Sequence, residues 1–278
     1  MKQLLLATIL LLVPHVGMPT DGVFDVHVHV RDGDASVRVY RAQVEGAGVA
    51  LSGFGAIFIA DAGQPARTRE KNDELLSLAR THPGLMPIGS VHPYDGEPAL
   101  AELERIAGLG MKAIKLHAHT QKIDPADPRV LALCRRAGEL GLVVLFDNAG
   151  ITPGEPEKLF DLTIKVPGTR FVFTHMGALG FRFWNLLPLA RTAEGLLADN
   201  LHFDISAIVT LAADSPLEEE FVWTMRNIGI DRLLLGSDFP QFTLAHTLDA
   251  LDRLGLTEEE AAKIRSDNAQ ALFFGKGG

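Results

Sequence analysis

Cysteine is nearly absent: Cys134 is the only one in 278 residues. An internal disulfide and a cysteine-rich zinc site are therefore both excluded. Any metal must be held by His, Asp and Glu. There is no Lys/Arg-rich block, and the formal net charge is −9. The electrostatic footprint of a nucleic-acid binder is missing. No glycine-rich phosphate loop follows the first strand pattern, which weakens an open nucleotide-binding sheet as the architecture. Linkers, low-complexity stretches and internal repeats are absent too.

Long hydrophobic runs are scarce. Leu4–Val13 follows Lys2 and precedes Pro14, and it is too short for a stable membrane span. It has the length of a signal-peptide core, yet no small-x-small pair stands before Asp21. Two readings stay open. Either residues 1–20 are signal-like and the protein is exported to the periplasm or secreted, or translation starts at Met18 and the protein is cytoplasmic. Residues 21–278 form one expected domain.

What is present is 47% hydrophobic and 22% charged residues, enough for a sizeable core and against disorder. Eight short apolar runs recur: Val23–Val30, Phe54–Ala60, Leu85–Val91, Met111–His117, Leu142–Asp147, Arg170–His175, Leu201–Ser206 and Arg232–Asp238. Helical patterns lie between them. Thr68–Thr81 reads as an N-capped helix ended before Pro83. Pro98–Ala107, Pro128–Leu140 and Leu217–Ile228 each end at a glycine. Thr257–Phe274 reads as a terminal helix capped by Thr257. Strands alternating with such helices imply βα units and a parallel sheet. Eight units in this length predict an α/β fold, a single-domain (β/α)8 TIM barrel.

The first strand reads Phe24-Asp-Val-His-Val-His-Val30. Regular alternation predicts Asp25, His27 and His29 on one face, lining the barrel, with Val26, Val28 and Val30 against the helices. Two imidazoles two residues apart can chelate one cation, whereas a pair of surface histidines would not need the flanking valines. Other strands end in His117, Asp147, His175 and Asp238. Each alone is weak, since such a carboxylate is often a helix cap and a lone His often satisfied lining. Together they converge, because barrel sites are assembled from the C-terminal ends of several strands.

On these stretches the sequence resembles the amidohydrolase superfamily, in its amidohydrolase-related branch. The matching segments are Asp25-Val-His-Val-His29, Ala113-Ile-Lys-Leu-His117 with Gln121 and Pro125, Phe173-Thr-His-Met-Gly177, Asn200-Leu-His-Phe-Asp-Ile-Ser206, Leu235-Gly-Ser-Asp-Phe-Pro240 and Asn268-Ala-Gln-Ala-Leu-Phe273. The resemblance implies a divalent metal, with Zn2+ expected, held by His27, His29 and Asp238. It implies a metal-dependent hydrolase in which metal-bound water attacks a small ester, lactone or amide. Asp238 would serve as base, and His175 or His117 would polarise the carbonyl. One departure stands out: the branch often carries His after the fifth strand, where this chain has Asp147. Asp147 is expected to replace that imidazole as a ligand; the alternatives are a more weakly held metal, His175 or His117 completing the site instead, or loss of the metal with general acid–base chemistry alone. Lys115 is carbamylated in some relatives; the plainer reading pairs it with a carboxylate such as Asp25.

Two rival functions remain: a metal-dependent decarboxylase or hydratase of aromatic-derived carboxylic acids, and a binding protein that has lost turnover. Arg31, His119, Arg182 and Trp184 are candidates for the cavity mouth; His82, His92 and His246 read as structural or surface residues, and Cys134 as inert core. The expected partner is a small-molecule substrate, with a homodimer carried as an open expectation and no nucleic acid.

Overall fold

The computed structural model describes residues 22–275, so the signal-like segment 1–20 and the choice between its two readings lie outside the described residues. Eight strands follow in chain order: β1 Val23–His29, β2 Leu51–Ile57, β3 Leu85–Gly89, β4 Ala113–Leu116, β5 Val143–Asp147, β6 Arg170–Thr174, β7 Leu201–Asp204 and β8 Leu233–Leu234. Every neighbouring pair is parallel, and spatial order equals chain order. After β8 the chain turns back alongside β1. Val26 N–H donates to Leu235 O and His29 N–H to Phe239 O, each at 2.9 Å. Asp238 N–H donates to His27 O at 2.9 Å. The expected (β/α)8 barrel is what the chain forms.

Two apolar layers hold it. Inside the barrel, Val26, Ile88, Ala113, Leu145, Val172 and Leu234 pack together, with Leu272 and Phe273 of the last helix joining that cluster. Outside, strand residues such as Val28, Phe54, Ile114 and Phe146 meet the helices. Burying one such large side chain stabilises by about 1.5–3 kcal/mol. Among the described residues no helix is long and apolar enough to cross a membrane.

β1 departs from regular alternation. Its register with β2 shifts between Asp25 and Val28, the mark of a β-bulge. Below the shift, Phe24 and Val26 face the interior cluster; above it, Val28 faces the helices. Asp25 is thereby turned outward. Its carboxylate accepts from Tyr40 Oη at 2.9 Å and from the backbone N–H of Ser237 at 2.9 Å. Tyr40 lies in the helix Asp34–Gly46, packed on Phe54 and Phe239. The expectations that Asp25 shares the face of His27 and that Val26 faces the helices are both corrected here. The extra residue costs the strand one step of its two-residue period, and nothing in the residue types announces it.

Several boundaries move. The second helix spans Pro65–Thr81, so Thr68 is not its cap but a buried residue within it. Pro at its first position is the better start signal. β2 begins three residues earlier than predicted, and only Leu233–Leu234 of the eighth run pair as a strand. Thr257 does cap the terminal segment, in a reciprocal pair with Glu260, but a π-turn at Lys263–Asp267 divides it from Asn268–Phe274.

Candidate metal centre

A cavity of about 570 Å³ opens over the C-terminal ends of the strands, and His27, His29, His117, Asp147, His175 and Asp238 all line it. The barrel thus brings together all six residues read from the sequence as catalytic or metal-binding. Within it, three atoms stand close. His27 Nε2 and His29 Nε2 are 3.2 Å apart. Asp238 Oδ1 lies 3.5 Å from the first and 3.3 Å from the second. Donors arranged tetrahedrally at about 2.0 Å from a zinc-like ion are separated by about 3.3 Å. The donor set therefore fits a divalent cation.

The protonation pattern agrees. His27 is fully buried, and its Nδ1 donates to Asp204 Oδ2 at 3.0 Å, which leaves Nε2 as an unprotonated lone pair, 3.4 Å from Lys115 Nζ. Burial, helped by the nearby Lys115 charge, lowers the His27 pKa to about 4, so the ring is neutral at pH 7. Burial lowers His29 as well. Burial works to raise Asp238, but the hydrogen bond from His29 and the neighbouring imidazoles hold it below the usual range.

Asp204 was not singled out as a site residue from the sequence, although it sits in a stretch that carried the resemblance. It is the hub beneath the site. Besides His27 it accepts from the backbone N–H groups of His175 and Ser206, each at 3.0 Å, and from the Ser206 hydroxyl. Ser206 Oγ in turn lies 2.9 Å from His175 Nδ1. In a second cluster of ligand atoms, from His27, His175 and Asp204, the side chains are therefore engaged in hydrogen bonds of this hub, His27 with Asp204 and His175 with Ser206. Only glycine suits position 236, since a Cβ there would stand 2.9 Å from His27 Cβ and 3.3 Å from Asp204 Cγ.

Asp147 stands across the cavity. Its oxygens lie 3.3 Å from His117 Nδ1 and 3.4 Å from His175 Nε2. It belongs to neither cluster of metal-type ligand atoms among the described residues. Burial opposes the charge on His175, yet Asp147 and Asp204 prevail and raise its pKa. His175 begins a strained turn: His175, Met176, Gly177 and Ala178 all have positive φ, between 46° and 85°. Trp184 stacks on Phe173 beneath this turn at 5.2 Å between ring centres. In the orientation that satisfies its neighbours, the Asn148 amide donates to Glu155 Oε1 at 3.2 Å and accepts from Trp184 Nε1 at 3.2 Å. Asn148 thus joins the loops that carry Asp147 and His175.

Burial, with the Asp147 charge behind it, raises the Glu155 pKa from 4.5 to about 7. The folded state then binds more protons than the unfolded state across that window, so this group's contribution to stability falls as pH rises from about 5 to 7. Glu155→Gln is expected to gain stability relative to the parent between pH 5 and pH 8. Urea unfolding at the two pH values reads the difference; an unchanged difference would contradict the buried-carboxyl assignment.

Lys115 is fully buried, and its Nζ donates to Thr174 Oγ1 at 3.0 Å and lies 3.4 Å from His27 Nε2. Burial lowers its pKa. Asp25 faces the helices instead and is not its partner, which corrects the expected pair. Of the candidate mouth residues, Arg31 lines the cavity. Arg182 is engaged by Glu220, Trp184 is fully buried, and His119 is exposed in the one-turn helix Ala118–Gln121 outside the lining. His92 is buried, with Nε2 donating to Gln121 O at 2.8 Å, and Cys134 is buried with its thiol pKa pushed up.

No curated protein matches the sequence. Solved structures do match the fold. A 2,6-dihydroxybenzoate decarboxylase from Rhizobium is 16% identical with a TM-score of 0.68, over 91% of this chain and 98% of that one. A dihydroxybenzoic acid decarboxylase from Polaromonas, with bound manganese, is 16% identical with a TM-score of 0.64, over 91% and 96%. A protein from Pseudomonas putida described as a candidate 2-pyrone-4,6-dicarboxylic acid hydrolase is 21% identical with a TM-score of 0.65, over 92% and 99%. The amidohydrolase family model matches residues 24–275, and with that span of the barrel and its first-strand histidines included, the chain belongs to the amidohydrolase family.

Proposed function

We propose that this chain is a metal-dependent hydrolase of small esters, lactones or amides. One observation carries the reading: the approach of His27 Nε2, His29 Nε2 and Asp238 Oδ1 to within 3.5 Å of one another at the cavity floor. These three residues would hold a divalent cation. Such a cation supplies Lewis acidity, which makes water a usable nucleophile near neutral pH or fixes an oxygen of the substrate. Asp238, ionised and facing the two imidazoles, takes the proton of the attacking water. His175, its Nδ1 engaged by Ser206 and its Nε2 facing Asp147, donates to the carbonyl or the leaving group. His117 stands on the other side of Asp147 and orients the substrate. Hydrolysis needs a base for the water and an acid for the leaving group, and Asp238 and His175 would offer the two.

A second reading is favoured by the names of the decarboxylase neighbours, which include aromatic acids as substrates. There the same floor would orient a carboxylate, and His175 would protonate the carbon that loses CO2. Zn2+ is the expected ion from the nitrogen-rich donor set; the manganese of the Polaromonas protein makes Mn2+ the ion to test beside it. Chelated protein, reloaded with either ion, should recover hydrolysis of a lactone and ester panel. CO2 release from dihydroxybenzoates, without ester or lactone turnover, would replace the hydrolase with the lyase. Full activity in metal-free protein would remove both.

A further inference from the structure

The cavity wall gathers charge of both signs. The protein carries −9 overall, and Arg31, Arg67 and Lys71 line the cavity together with Asp61, Asp147 and Asp238. Two of these cations are partnered: Arg67 lies 3.5 Å from Asp61, and Lys71 lies 2.7 Å from Glu74. Among the described residues Arg31 makes no ion pair and no side-chain hydrogen bond. It follows β1 by two residues, so its guanidinium is tied to the strand that carries His27 and His29. Ile57, Phe58 and Ile59 line the same cavity with apolar surface.

A guanidinium in a concave wall, with no carboxylate partner of its own among the described residues, is a receptor for a planar anion. The floor, by contrast, is built of Asp238 and Asp147 with their histidines and suits a reacting oxygen held by a cation. We propose that Arg31 binds a carboxylate of the substrate that is remote from the reacting bond. The substrate class is then a small molecule with an apolar body and a carboxylate that is not consumed. Under the hydrolase reading it is a carboxylate-bearing lactone or ester; under the lyase reading it is a dicarboxylic acid. The choice of substrate class rests on the proposed metal site, but the charge selection at Arg31 is read by binding alone.

The test uses the metal-loaded full chain and four probes: benzoate, phthalate, isophthalate and terephthalate. Calorimetry is expected to show at least one dicarboxylate binding about 10-fold or more tighter than benzoate, the size of one charge-assisted contact. In Arg31→Gln that advantage should vanish while benzoate affinity stays unchanged. Arg31 is exposed, so the variant retains its fold. If no dicarboxylate is preferred, or if the preference survives in Arg31→Gln, the proposal is overturned. Equal weakening of all four probes together with weaker metal binding would also overturn it, since Arg31 would then act on the metal site alone. Repeating the comparison in His27→Ala separates the two readings. Loss of the metal with an intact Arg31-dependent preference leaves this proposal standing, whatever becomes of the catalytic one.

Discussion

Replacing His27 with alanine is expected to abolish stoichiometric divalent-metal binding and to lower kcat/KM by about a thousandfold or more. Lewis-acid stabilisation of developing charge is worth several kcal/mol, and about 4 kcal/mol corresponds to three decades in rate. The loss should exceed that of a single cavity contact, because His27 is the one residue shared by the metal-type donor set and the Asp204 hub. Truncation also strips Asp204 of its imidazole partner inside the barrel, where an under-partnered carboxylate is costly. Metal analysis by mass spectrometry, steady-state kinetics and a melting curve should be taken together. Full metal occupancy and unchanged kcat/KM would sink the metal assignment, however the melting temperature moves.

Asp204→Asn is the second large effect, and the more diagnostic one. Asp204 can only accept from His27 Nδ1, which keeps the proton there and leaves Nε2 free for a cation. An asparagine amide can donate instead, letting the proton move to Nε2, where it would face His29 and Asp238. Size and shape scarcely change, so a packing explanation is removed. Metal affinity should fall about 10–100-fold, the range for loss of an orienting partner. Activity at saturating metal should stay depressed, because the charge of Asp204 also helps to raise the His175 pKa and an asparagine carries none. Titration of Zn2+ against a competing chelator, run beside kinetics at high metal, reads both parts. Parent-like affinity would show that Asp204 is a structural hub without influence on the His27 tautomer.

The barrel was legible because eight apolar runs alternate with helix-length segments, and helix packing on a parallel sheet leaves few other solutions. The helix Asp34–Gly46 is less legible, although Val37, Tyr40 and Val44 are its buried stripe at helical spacing. Its mean character is polar, and a single stripe of three is easily lost. His27 and His29 were legible from their spacing, and His117, Asp147, His175 and Asp238 from their places at strand ends. Asp204 is less visible as a functional group, because its role depends on donors that come from β1, from the turn after β6 and from its own loop. Trp184 reads from sequence as an aromatic near the mouth, yet stacking on Phe173 takes it inside. Such contacts between distant segments have no signature in local composition.

The bulge in β1 sets the electrical state of the floor. On an unbroken strand, Asp25 would share the cavity with Asp61, Asp147 and Asp238, and a further anion there would repel an acidic ligand. With the slip in parity, even-numbered residues point inward at the base of the strand and odd-numbered ones at its rim. Asp25 is handed to Tyr40, and the vacated ground is left to the imidazoles. One added residue thus tips the charge balance of the chamber by a full unit toward receiving an anion. Grafting His-x-His onto a regular strand would reproduce the spacing of the pair and miss that balance.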